Sequence, residues 1–307
     1  MKVWVFLIAL TIFGACGRNE AQCSRFTLDS GRSELPGEFP LPEIPSSIIN
    51  AEERADYLLA HFWDPLDFKD TLLSHNGMLM EQTFVNFLSV MPHATETGRA
   101  IGVNALLKKA EADTVSYRKI RDLAETYLYE PDSPMLSEDF YILFLRNYAE
   151  TPMLGEGQKE RAKAQLEIVM MNRPGTPAPD FDFITRHGEK SSLYDVESKG
   201  DILLFFYDPG CATCMEAKKE ITGNRKLKEA IESGSLTVVA VYSGPEKLLW
   251  ERQASEMPEE WIVGYEPESI EERELYDFRG MPTIYLLDKY KIVKKKDLPY
   301  SQLANEK

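Results

Sequence analysis

Apolar residues recur at spacings of three and four from about Ser46 to Asn172: Ala55, Leu58, Leu59 and Phe62; Phe84, Phe87, Leu88 and Met91; Ile120, Leu123, Ala124 and Tyr127; Ala162, Leu166, Val169 and Met170. That period places each set on one face of a helix. Interruptions at Pro65, Asn76-Gly77, Pro92, 131–134 and 152–157 divide the region into about five or six helices, and Ser137 followed by Glu138 and Asp139 reads as a helix start. At Arg173-Pro174-Gly175-Thr176-Pro177-Ala178-Pro179 the period ends in a stiff link. Beyond the link, short β-rich runs at 181–185, 202–207, 236–242, 261–265, 283–288 and 291–295 alternate with helical stretches at 215–231, 246–256 and 269–278. Strands alternating with helices predict an α/β domain whose sheet is covered on both faces, preceded by an all-α domain. The lysines at 291 and 294–296 read as the solvated side of an edge hairpin.

Composition adds that the chain is globular, since 43% hydrophobic with 28% charged residues is ordinary for a packed protein. A net charge of -15 argues against a nucleic-acid partner. The opening MKVWVFLIALTIFGA is one lysine, an apolar run too short to span a bilayer, and small residues before Cys16. It reads as an export signal, and Phe13-Gly14-Ala15-Cys16 resembles the lipobox of bacterial lipoproteins, with Phe13 where leucine is usual. The expected organisation is a signal peptide at 1–15, a proline-punctuated tether at 16–45 anchored by lipid on Cys16, the helical domain at 46–172 and the α/β domain at 173–307. Such a chain is exported to the periplasm or outer envelope and meets the membrane through its lipid.

Apart from Cys16 and Cys23, the cysteines are Cys211 and Cys214. They follow the uncharged run 202–206 and the turn Asp208-Pro209-Gly210, so a helix starts near Cys211. There the positive end of the helix favours thiolate, and Cys214, one turn in, lies on the same face within disulfide reach. Half of a zinc site would also use this spacing, but His61, His75, His93 and His187 are scattered singly, and no metal is expected. A peroxidase pattern fails because Leu204 and Asp208 stand where proline and threonine would be needed.

Strand, turn, Cys-x-x-Cys and helix together resemble the active site of the thioredoxin superfamily. Arg279-Gly280-Met281-Pro282-Thr283 resembles its cis-proline loop, and 175–181 resembles the start of the TlpA/ResA-like thiol-disulfide oxidoreductases. The helical region resembles a domain of unknown function that precedes such modules. The resemblance implies that Cys211 attacks, Cys214 resolves, Met281 and Gly210 border the substrate, and Pro282 shapes the groove through a cis Met281–Pro282 bond. It implies no cofactor beyond the Cys211–Cys214 couple, and as partners protein thiols and disulfides of the envelope together with an upstream thiol-disulfide electron donor. The sequence departs from the family at Gly210, where tryptophan is frequent, at Phe205, where a buried carboxylate is frequent, and at 299–307, which is short for a closing helix. That shortness leads to the expectation that the helical domain covers one face of the sheet. Asp208 reads as a turn residue rather than a proton shuttle. The alternative function is an envelope binding or scaffold protein that uses this fold without turnover.

Overall fold

The helices of the first half begin where a short polar side chain can accept from the free amides of a first turn. In the computed structural model, which describes residues 39–305 apart from Asp132, 267–269, 271 and 272, Asn50 caps α1 (Ala51–His61) and Asp70 caps α2 (Thr71–Ser74). Asn76 caps α3 (Gly77–Val90), Thr95 caps α4 (Glu96–Ala110), Asp113 caps α5 (Thr114–Leu128) and Ser137 caps α6 (Glu138–Tyr148); α7 (Glu156–Met170) follows Gly155. The leader, Cys16 and Cys23 lie outside the described residues.

The described residues thus hold seven α-helices in the first half rather than five or six. The difference comes from α2, a single turn, and from the break before α5, which Asp113 makes without proline or glycine. The apolar stripes named above close into one core, except for Met170, which is exposed at the end of α7; Leu59, Phe84, Phe87, Ile120, Ala124 and Val169 are fully buried. Gly102 lets α4 lie directly on α1, since a Cβ there would stand 2.7 Å from Leu59 Cβ. Packing on this core starts inside the segment read as a tether, because Phe39 stacks on Phe62 at 6.1 Å.

The second half gives β1 (Asp182–Thr185), β2 (Lys190–Ser192), β3 (Asp201–Phe206), α8 (Ala212–Gly223), α9 (Arg225–Glu232) and β4 (Leu236–Ser243). It continues with α10 (Lys247–Ala254), β5 (Ile262–Glu266), β6 (Thr283–Leu287) and β7 (Val293–Lys295). The seven strands form one sheet in the order β2-β1-β5-β4-β3-β6-β7. The β3–β4 and β4–β5 pairs are parallel and the rest antiparallel. Alternation along β3 sorts its side chains between two cores: Leu203 and Phe205 face α8, α9 and α10, whereas Ile202, Leu204 and Phe206 face the other side.

Three expectations are corrected. The stretch 215–231 is two helices, because Asn224 ends α8 and its side chain caps α9. Residues 273–276 run through turns and bends, and 277–278 have no regular structure. Ile270, Leu275, Tyr276 and Phe278 all reach the same apolar cluster, a spacing that a helix would spread around its circumference. The helical domain does not cover the sheet face left by a short terminus: a 3-10 stretch, Tyr300–Asn305, packs Leu303 into the cluster beneath α8 and α9, and the helical core stays separate.

Candidate active site

The turn at the end of β3 is built by Asp208, whose Oδ1 accepts from the Gly210 amide at 2.6 Å while its carbonyl accepts from the Cys211 amide at 3.1 Å. Asp208 is therefore a turn-forming residue, as expected. It delivers Cys211 to the N-cap of α8, where Sγ accepts from the Cys214 amide at 3.1 Å, in the place a serine or aspartate oxygen usually takes. Cys211 is partly exposed; Cys214 is fully buried beneath it, and the two form a disulfide with Cα atoms 5.3 Å apart.

The second wall is the loop before β6. Its Met281–Pro282 peptide bond is cis, and the Met281 carbonyl oxygen lies 3.5 Å from Cys211 Sγ. Gly210 is exposed in the turn beside Cys211, and a Cβ there would come within 3.2 Å of Asp208 Oδ1. The structure therefore gathers Gly210, Cys211, Cys214, Met281 and Pro282 in one place. Beneath them, Phe205 lies parallel to Tyr207 at 5.7 Å and edge-on to Trp261 at 6.1 Å, so aromatic rings occupy the position of the family's frequent carboxylate. Burial pushes the Tyr207 phenol up, which keeps it neutral.

Sequence reasoning missed three groups. Thr213 Oγ1 lies 3.0 Å from Cys211 Sγ and donates to the Met281 carbonyl at 2.9 Å; its place between the cysteines was the available signal. Gln253 on α10 donates to the Pro209 carbonyl at 2.8 Å and steadies the turn from outside, with no signal in the local sequence. Arg279 opens the cis-proline loop and reaches into the helical region: its Nη2 meets Glu138 Oε1 at 2.6 Å, and its guanidinium stacks over the Tyr129 ring at 4.4 Å. Asp277 at 2.7 Å and Asp297 complete its partners. Burial works against this charge, but Asp297, Glu138 and Asp277 outweigh it and hold Arg279 above its ordinary value. Pro131 packs on Gly280, the next residue of the loop.

Lys296, read as solvated, is instead 4% exposed. Its ammonium donates to the Met171 and Ile168 carbonyls at 3.1 and 3.5 Å and pairs with Glu138 Oε2 at 3.0 Å. The negative end of α7, where carbonyls keep acceptor capacity to spare, explains why a charge is held there. Lys291 likewise donates to the Val196 carbonyl at 2.7 Å, and Lys294 pairs with Asp201 at 2.9 Å.

Residues 15–172 match the family described as a domain of unknown function, DUF5106. A thioredoxin-like protein from Bacteroides caccae is 34% identical, and its solved structure superposes with a TM-score of 0.82 over 87% of this chain and 97% of its own. The thioredoxin-like protein YneN of Bacillus subtilis is 32% identical over 123 residues, 39% of this chain and 68% of its own length. With one relative superposing over 87% of this chain and another matched over 68% of its own length, the chain belongs to the thioredoxin-like proteins, with a DUF5106 domain at residues 15–172.

Proposed function

We propose that the protein is an exported, lipid-anchored thiol-disulfide oxidoreductase that exchanges disulfides with proteins of the cell envelope. The observation that carries this reading is the asymmetry of one pair: Cys211 is partly exposed at a helix N-cap against a cis-proline loop, and Cys214 is buried behind it. Support for export comes from the opening MKVWVFLIALTIFGA before Cys16, whose pattern agrees with a location in the periplasm or outer envelope and a lipid on Cys16.

In the reductive direction, the Cys211 thiolate attacks one sulfur of a client disulfide. A Cys211–client disulfide forms, the client's S–S bond breaks, and its first sulfur leaves as a thiolate that takes a proton. Cys214, deprotonated, then attacks Cys211 Sγ, which restores the Cys211–Cys214 bond and expels the second client sulfur as a thiol after protonation. The two electrons given to the client are returned by an upstream dithiol donor, and no bound cofactor is required. Run in reverse, the same steps oxidise a client dithiol. The reduction potential of the pair decides the direction: near about -270 mV it makes a reductant, near about -120 mV an oxidant.

The test uses single variants of the reduced protein with a disulfide-bonded client. Cys214→Ser should form a mixed disulfide through Cys211 that persists on a non-reducing gel, whereas Cys211→Ser should trap nothing and lose reductase activity. Trapping by Cys211→Ser would reverse the roles. A parent whose Cys211–Cys214 pair neither cycles with dithiothreitol nor transfers electrons to a client would leave the scaffold reading in its place.

A further inference from the structure

Thr213 stands between the two groups that handle a client. Its Oγ1 is 2.9 Å from the Met281 carbonyl oxygen and 3.0 Å from Cys211 Sγ, and that sulfur is 3.5 Å from the same carbonyl. A hydroxyl has one proton to give. In the disulfide shown here neither sulfur carries a proton or a charge, so the carbonyl is the stronger acceptor and takes the hydroxyl. When the pair is reduced and Cys211 ionises, the sulfur becomes an anion at hydrogen-bonding distance. Bonds to a charged acceptor are roughly twice as strong as neutral ones, so the preference reverses. For the hydroxyl the reversal is a rotation about its Cβ–Oγ1 bond, made as the two sulfurs part.

We propose that Thr213 is a redox-linked hydrogen-bond switch: its hydroxyl occupies the Met281 carbonyl while Cys211 is in the disulfide and turns to the sulfur when Cys211 is a thiolate, which frees that carbonyl for a client. The inference rests on the oxidoreductase reading and deepens it. The ligand is an extended polypeptide segment that donates a backbone N–H to the Met281 carbonyl beside its own cysteine. In the reduced protein the thiolate is stabilised and the carbonyl is open, so a client disulfide finds both. Once the Cys211–Cys214 bond closes, the hydroxyl returns to the carbonyl and competes with the departing segment. The switch itself forms and breaks only hydrogen bonds; the electrons move in the exchange steps described above.

The experiment compares the parent with Thr213→Val, which keeps the shape and removes the hydroxyl, and Thr213→Ser, which keeps the hydroxyl. First, the Cys211 thiol pKa of each reduced full-length protein is read from the pH dependence of iodoacetamide alkylation. Thr213 is exposed, so water shares the load and the expected rise in Thr213→Val is about one unit, close to tenfold less thiolate near neutrality. The reduction potential read in a glutathione buffer should become more negative correspondingly, by no more than the about 30 mV that corresponds to tenfold. Thr213→Ser should track the parent in both.

Second, a short peptide carrying two S-methylated cysteines, which cannot exchange, is bound to the oxidised and reduced forms. Oxidised Thr213→Val should bind it several-fold more tightly than the oxidised parent, and the two reduced forms should bind it alike. A Thr213→Val protein that cycles normally yet keeps the parent's thiol pKa overturns the switch. A changed pKa with unchanged peptide binding in the oxidised form overturns the hand-over of the carbonyl. A parent that does not cycle at all instead defeats the oxidoreductase reading.

Discussion

Glu138 opens α6, where a carboxylate ordinarily sits in water beside the positive end of a helix; here it is held between Arg279 at 2.6 Å and Lys296 at 3.0 Å. Burial raises its pKa above the ordinary carboxylate value and Asp297 adds to the rise, while Lys296 and Arg279 oppose it. A carboxyl whose folded pKa lies above its unfolded one stabilises most fully below the unfolded value, and that contribution is lost as pH rises through the folded one. The stability of the parent minus that of Glu138→Gln should therefore decline as pH is raised from about 4.5 towards neutrality, read from urea midpoints across that range. A difference that is flat or grows with pH would contradict the burial argument. The sequence showed Glu138 only as part of a helix-start signal and Lys296 only as part of a charged run. Neither residue carries a local mark of its partner, since Arg279 and Glu138 are 141 positions apart.

At the scale of elements, what proline, glycine and apolar period can announce was legible, and what a single side chain decides was not. The capping of α6 by Ser137, the central strand β3 and the start of α8 at Cys211 all follow from local chemistry. The break between α4 and α5 does not, because Asp113 makes it through contacts from two directions. Its Oδ2 accepts from the Ser116 amide at 2.7 Å, the Ser116 hydroxyl at 2.8 Å and His75 Nε2 at 2.8 Å, which ties the end of α2 to the start of α5. Burial pushes the Asp113 carboxyl up, but the bonds from Ser116 and His75 outweigh that and hold it below 3.8. Loss of an N-cap costs about 1 kcal/mol, so Asp113→Ala should lower the urea midpoint by that equivalent at neutral pH with an unchanged slope, and Asp113→Asn by much less. Because the folded pKa is depressed, the carboxylate's own contribution is present above 3.8 and is lost as pH falls through the folded value. The gap between Asp113→Asn and the parent should accordingly narrow in acid. An Asp113→Ala protein as stable as the parent would show that the two helices are set by packing alone.

At the largest scale, the helical core and the two sheet cores are separate apolar clusters, yet residues 39–305 form one compact unit. Much of the join falls on the loop that holds the cis-proline, where Arg279 holds Glu138 and Tyr129 and Pro131 packs on Gly280, and Lys296, just after β7, closes the end of α7. The Cys-x-x-Cys turn and the 279–283 loop were legible as motifs because each is continuous in the chain; the loop's contacts with the helical region were not, because they are assembled from distant residues. This arrangement predicts the behaviour of residues 173–307 produced alone. The fragment keeps both sheet cores, so it should fold and its Cys211–Cys214 pair should still cycle with dithiothreitol. It loses Glu138, Tyr129 and Pro131, so Arg279 and Lys296 exchange buried partners for water and the loop loses the contacts that over-determine it. Native-state hydrogen exchange should then show faster exchange at the Gly280, Met281 and Thr283 amides than in the full chain, while β3 and β4 stay protected. Equal protection of the loop in fragment and full chain would mean that the sheet domain alone sets its shape, and a fragment that fails to fold would mean that the separate cores do not suffice without the join.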